Sequence, residues 1–112
     1  MRWISATIRP FKLHDVRRSL AEYGIHGMTV SDVRGVGWPR SIHDRTLASD
    51  DVSDGVARIK VEIAVPYEQV ASVVEIIVRE ANTGHHGDGR LLVLPLSMVV
   101  HIRTGERDRY AL

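Results

Sequence analysis

Apolar and polar positions alternate in three stretches of this chain, recur at helical spacing in two others, and give way near the end to one nearly continuous apolar run. Residues 3–9 place Ile4, Ala6 and Ile8 on one side and Trp3, Ser5, Thr7 and Arg9 on the other, the pattern of a half-buried strand. Pro10 ends it. Leu13, Val16, Leu20 and Tyr23 then recur at helical spacing with Arg17, Arg18 and Glu22 between them, and Gly24 supplies the C′ stop. Residues 28–36 predict a second strand, with Val30, Asp32 and Arg34 against Thr29, Ser31 and Val33. Residues 58–66 predict a third, with Ile59, Val61, Ile63 and Val65 opposed to Arg58, Lys60 and Glu62. Residues 67–82 read as a second helix buried through Val70, Val73, Val74, Ile77 and Val78, and residues 91–100 as a fourth strand.

The two halves echo each other, since Pro10-Phe11 and Pro66-Tyr67 both follow an alternating strand and open a helix. Strand–helix–strand twice over predicts an α+β fold, the ferredoxin-like β-α-β-β-α-β sandwich, with both helices on one face of the sheet. The last strand is apolar at both parities (Leu91, Leu92, Val93, Leu94, Leu96, Met98, Val99, Val100) and needs cover on both faces. Two helices on one side cannot provide that, which points to oligomerisation through the open face. Pro95 places this strand at a sheet edge or a bulge.

Between the second and third strands, residues 37–55 follow neither period and are rich in Asp, Ser and Arg. A loop of that length in a compact domain usually has a function or no fixed shape, and a partner-binding role suits it. The chain of 112 residues is expected to form one domain spanning 1–112. A formal net charge of +1 argues against a nucleic-acid binder driven by bulk charge. The absence of cysteine excludes disulfides and thiolate catalysis and makes the cytoplasm the expected compartment. The first residues lead straight into a strand rather than a charged-then-apolar leader. The longest apolar run, 91–100, is too short to span a bilayer.

The stretch with most chemistry is Thr83-Gly84-His85-His86-Gly87-Asp88-Gly89-Arg90. Its three glycines permit positive φ and inward-turned N–H groups, an anion-binding nest, with Arg90 as a fixed charge at the exit. His101 and Arg103 add two downstream phosphate partners. A helix precedes this loop and a strand follows it, the reverse of Walker and Rossmann loops, so side-chain cations must replace a helix dipole. The plainer alternative makes Gly84 a helix C′ cap and the other glycines a tight turn.

Pro10-Phe11-Lys12-Leu13, Gly35-x-Gly37, Thr83-Gly84-x-x-Gly87-Asp88-Gly89-Arg90 and Arg103-Thr104-Gly105-Glu106 together resemble the P-II nitrogen-regulatory signalling proteins, ungapped over essentially the whole chain. The resemblance implies a homotrimer of ferredoxin-like subunits that binds ATP or ADP between neighbours. It also implies a long exposed loop that grips a protein target such as a membrane transporter or an enzyme, with no catalysis of its own. By position, Gly87, Asp88, Gly89 and Arg90 would cradle phosphates and Arg103 would pair with them. His101 stands where the family usually has arginine, which would make phosphate binding pH-dependent. Thr29, Glu62 and Ala64 fall where the family lines the adenine site, and Gly35 and Gly37 at the base of the long loop.

The departures gather in that loop, so the chain looks like a divergent paralogue. Pro39 replaces the family's glutamine, a ligand of Mg²⁺ and 2-oxoglutarate, and leaves Mg²⁺ involvement open. Trp38 replaces an arginine near the phosphates. Arg58 replaces the lysine that meets the 2-oxoglutarate carboxylate, with different geometry. Asp51 replaces the tyrosine uridylylated in many bacterial members. The implied reading is a nucleotide-binding regulator, for ADP as well as ATP and with AMP as a third candidate, with weak or absent 2-oxoglutarate sensing. Arg40, His43, Arg45, Asp50 and Asp51 would face its target.

Three rival classes have specific requirements. A histidine enzyme built on His85 or His86 needs a base–orienter pair that the sequence does not supply. A metal-binding regulatory module could draw on His43, His85, His86, Asp44, Asp50, Asp51 and Asp54, but no spacing defines a closed site. An RNA-binding ferredoxin-like domain needs stacking aromatics on its inner strands, and the third strand has none, so no nucleic-acid partner is expected.

Overall fold

A computed structural model describes residues 1–37 and 55–112. Four strands, β1 (Arg2–Ile8), β2 (Thr29–Gly35), β3 (Val56–Val65) and β4 (Arg90–Pro95), form one antiparallel sheet in the order β2-β3-β1-β4. Helices α1 (Leu13–Tyr23) and α2 (Val70–Ala81) pack against each other on one face. This is the β-α-β-β-α-β ferredoxin-like arrangement that the periodicity predicts.

The core is the face that the alternation assigns. Ile4, Ala6 and Ile8 from β1 and Ile59, Val61, Ile63 and Val65 from β3 are buried against Val16, Leu20, Val73, Ile76 and Ile77. Register makes this a single layer, because Ile4 faces Ile63, Ala6 faces Val61 and Ile8 faces Ile59. Tyr23 and Val78, expected on the buried helix faces, are exposed; Ile76 and Ala81 are buried instead. The apolar stripe of α2 is wider than the predicted set, and its outer margin at Val78 reaches solvent.

The pseudo-repeat is real but shifted by one residue. Each helix is preceded by a 3₁₀ turn, Pro10–Lys12 before α1 and Tyr67–Gln69 before α2. Lys12 N–H donates to the Arg9 carbonyl and Gln69 N–H to the Pro66 carbonyl, each at 3.0 Å. Arg9 therefore corresponds to Pro66, and Pro10 to Tyr67. Proline suits both places, since neither position needs its own N–H.

The fourth strand is shorter than its apolar run. It ends at Pro95, and the Leu96 N–H bonds the Met1 carbonyl at 3.2 Å. As its proline requires, β4 is an edge strand. Beyond it the chain turns back on itself in a hairpin closed by one bridge between Val100 and Arg107. A final 3₁₀ turn, Asp108–Ala111, lies near the start of α2 through an Arg109–Glu68 ion pair. Among the described residues, no helix is long and apolar enough to cross a membrane.

The sheet face away from the helices divides along its length. At one end Trp3 pairs with Ala64 and Leu94, and Leu92 lies nearby; Leu92 and Leu94 are about half exposed. At the other end stand Thr7, Ser31 and Lys60.

Candidate functional site

The glycine stretch lies between α2 and β4. Helix α2 stops at Ala81 with Asn82 in extended geometry, so Gly84 is not a helix C′ cap. Gly84, Gly87 and Gly89 all have positive φ, at 81°, 96° and 108°, as the nest reading requires. Gly89 is also a point of close approach, because a Cβ there would lie 1.7 Å from the Thr7 carbonyl oxygen of β1.

An anion does occupy part of this nest, and it belongs to the chain itself. The Asp88 carboxylate accepts the N–H groups of Thr83 (2.7 Å) and Gly84 (3.0 Å). It also accepts the Thr83 hydroxyl and the Arg9 Nε at 3.0 Å. Partial burial acts against its charge, but Thr83, Arg9 and Gly84 outweigh it and hold the carboxyl well below the usual range. The side chain of Asp88 thus shapes the turn from within rather than facing a ligand.

Two arginines brace the rest of the turn. The β1–β3 register that pairs Ile8 with Ile59 brings Arg9 and Arg58 to the same end of adjacent strands. Arg9 Nη2 donates to the His86 carbonyl at 3.0 Å. Arg58, only 5% exposed, donates Nε (3.3 Å) and Nη2 (3.0 Å) to the Gly87 carbonyl and Nη1 to the Ala57 carbonyl (2.8 Å). Neither arginine could be placed in this role by periodicity, since each lies at an ordinary polar position of an alternating strand. The one local signal was Arg9 directly before Pro10, where the chain must turn.

The other predicted residues are spread over the sheet. Thr29 pairs with Glu62 at the β2 edge, and Ala64 follows on the same face of β3. Gly35 ends β2, with Gly37 at φ 73° beyond it. A Cβ on Gly55, where the chain re-enters the sheet, would meet the Gly35 carbonyl at 2.7 Å, a close approach that spacing along the chain does not reveal. Arg90 pairs with Thr7 at the β4 edge. From the Thr29 edge to the Arg90 edge is three strand spacings, about 14 Å.

His101 and Arg103 lie in the exposed hairpin, and neither bonds the glycine turn among the described residues. Trp38, Pro39, Arg40, His43, Arg45, Asp50 and Asp51 lie outside the described residues, as do Asp44 and Asp54. Behind the turn, a cavity of about 180 Å³ between α2 and the β1–β4 edge is walled by Ile8, Ile77, Val78, Ala81 and Leu91. None of the predicted adenine-site residues lines it. No three His, Asp or Glu side chains gather as a metal site among the described residues, so nothing there supports the metal-module alternative.

Residues 1–106 match the family described as Nitrogen regulatory protein P-II. The chain belongs to the P-II family. It is 43% identical over 112 residues, the full length of both chains, to "Nitrogen regulatory protein P-II 1" of Escherichia coli K12. It is equally similar, again over both full lengths, to "Nitrogen regulatory protein P-II" of Synechocystis sp. PCC 6803. Among solved structures, Arabidopsis thaliana PII bound to citrate matches at a TM-score of 0.82 and 40% identity, over 99% of this chain and 91% of that one. This P-II protein is therefore a regulatory signalling protein and not an enzyme.

Proposed function

We propose that this P-II protein binds an adenine nucleotide between subunits of a homotrimer and regulates a protein target through residues 37–55. The observation that carries the reading is the braced glycine turn. Its carbonyls at His86 and Gly87 are held by Arg9 and Arg58, while Arg90 stands exposed beside it. Among the described residues, the N–H groups of His86, Gly87 and Gly89 have no protein acceptor, a set of donors suited to phosphate oxygens.

Two further observations favour a site shared between copies. The adenine-site candidates Thr29, Glu62 and Ala64 and the phosphate candidates Gly87, Asp88, Gly89 and Arg90 sort to different regions of one sheet, with Thr29 and Arg90 at opposite edges. His101 and Arg103 project on a hairpin whose Ile102 is 99% exposed, an apolar side chain that a neighbouring subunit would bury. The apolar end of the open face, with Trp3, Leu92 and Leu94, offers the surface for assembly.

The substitutions in residues 37–55 shape the response. Pro39 supplies no Mg²⁺ ligand, so 2-oxoglutarate binds weakly or not at all, and Asp51 has no phenol for uridylylation. With Trp38 in place of a cation, ADP binds at least as well as ATP, and AMP competes. Calorimetric titration with ATP, ADP and AMP, with and without Mg²⁺, tests the reading alongside sedimentation velocity. A trimer that binds ADP independently of Mg²⁺ is the expected result. A monomer at micromolar concentration, or a Mg²⁺-dependent ATP preference beyond about tenfold (~1.4 kcal/mol), would overturn it.

A further inference from the structure

We infer that Arg58 is a positioning residue that aims the glycine turn, so that this protein holds its phosphate-binding loop in the receptive shape without any carboxylate co-ligand. The inference rests on the phosphate reading of the turn given above. A trans peptide is planar, with its C=O and N–H pointing in opposite directions. Whatever grips a carbonyl from the protein side therefore turns the N–H of the same peptide outward. Arg58 grips the Gly87 carbonyl through both Nε and Nη2, and so sends the Asp88 N–H to the opposite side of that peptide, where it closes the turn over residues 86–87. Arg9, through the His86 carbonyl, turns the Gly87 N–H outward.

Three features suit Arg58 to this work. It is buried, at 5% exposure, although it lies on the polar parity of β3. Its third nitrogen, Nη1, bonds the Ala57 carbonyl of its own strand, so the planar fork is tied at both ends rather than free to swing. A lysine at this position would bring one rotatable ammonium in place of three directed donors. The internal Asp88 carboxylate completes the frame by holding the N–H groups of Thr83 and Gly84 on the other limb of the turn. A guanidinium committed to Gly87 is not a docking group for a dicarboxylate, so the same contacts that shape the turn uncouple it from such a metabolite.

The test uses the full-length protein. In the unsubstituted chain without nucleotide, the Arg58 Nε–H resonance should be slow to exchange with water, as a buried donor is; rapid exchange would overturn the inference whatever the nucleotide data show. In Arg58→Met, the amide resonances of Gly87 and Asp88 should shift while those of Ile4 and Val61 in the core stay in place. Affinity for ADP should fall about tenfold, whereas adenosine, which has no phosphate, should bind as before. Unmoved loop amides, or equal losses for ADP and adenosine, would overturn it. If the unsubstituted protein binds no nucleotide at all, the nucleotide reading fails, and the exchange and amide measurements still decide whether Arg58 sets the turn.

Discussion

The glycine turn and the C-terminal hairpin are both short reversals with a positive-φ glycine and an arginine, yet they are built in opposite ways. The turn at residues 83–90 is wired into the sheet. Asp88 satisfies its first limb, Arg9 and Arg58 reach it from β1 and β3, and Gly89 lies against the Thr7 backbone. The hairpin at residues 99–107 holds mainly itself. His101 N–H bonds the Glu106 carbonyl (2.8 Å), Gly105 N–H bonds the His101 carbonyl (2.7 Å), and every residue from 100 to 107 is exposed. A segment braced by the rest of the fold has its shape decided within one chain. A segment with only its own bonds keeps its freedom until a neighbour packs on it.

The sharpest way to break the contrast is alanine at the two glycines. Gly89→Ala places a Cβ against the Thr7 backbone at φ 108°, so the loss combines left-handed strain with a clash that no rotamer relieves. Urea denaturation should show a loss of about 3 kcal/mol or more. Gly105→Ala, at φ 73° with no atom within 4 Å of the new Cβ, should lose only about 1 kcal/mol. Equal losses would erase the distinction.

Removal of charge gives the next effect. Arg103→Ala should weaken ADP and ATP alike by roughly ten- to a hundred-fold, the equivalent of about 1.5–3 kcal/mol for a charge-assisted bond. Because no other described residue bonds Arg103, the thermal midpoint without nucleotide should stay within the scatter of surface substitutions. A large drop in that midpoint would mean that the hairpin supports the fold.

Acid stability tests the bracing of the turn more finely. The folded-state pKa of Asp88 lies below its value in the unfolded chain, so its contribution is complete above about pH 4 and is lost as pH falls through the folded value. Asp88→Asn should flatten the fall in stability below pH 4. An unchanged acid slope in that variant would mean that the carboxylate does not hold the turn. The smallest effect expected is on Ile102→Ala, neutral for the fold of one subunit but weakening to self-association in sedimentation equilibrium.

Local pattern determined most of the fold. Alternation in β1 and β3 identified the buried face residue by residue, Gly24 marked the end of α1 at φ 111°, and Pro95 marked β4 as an edge strand. These features depend on neighbours in the chain, and period and backbone chemistry carry them. The one-residue offset of the pseudo-repeat and the early end of β4 escaped, because each depends on where a particular N–H finds its acceptor. The glycine motif named the candidate site, along with the positive φ values it needs. Only the tertiary structure decided that Asp88 is the turn's own anion, that Arg9 and Arg58 brace it, and that Thr29 and Arg90 stand at opposite sheet edges. Residues 79 positions apart, as Arg9 and Asp88 are, meet through strand register, and register is a property of the assembled sheet.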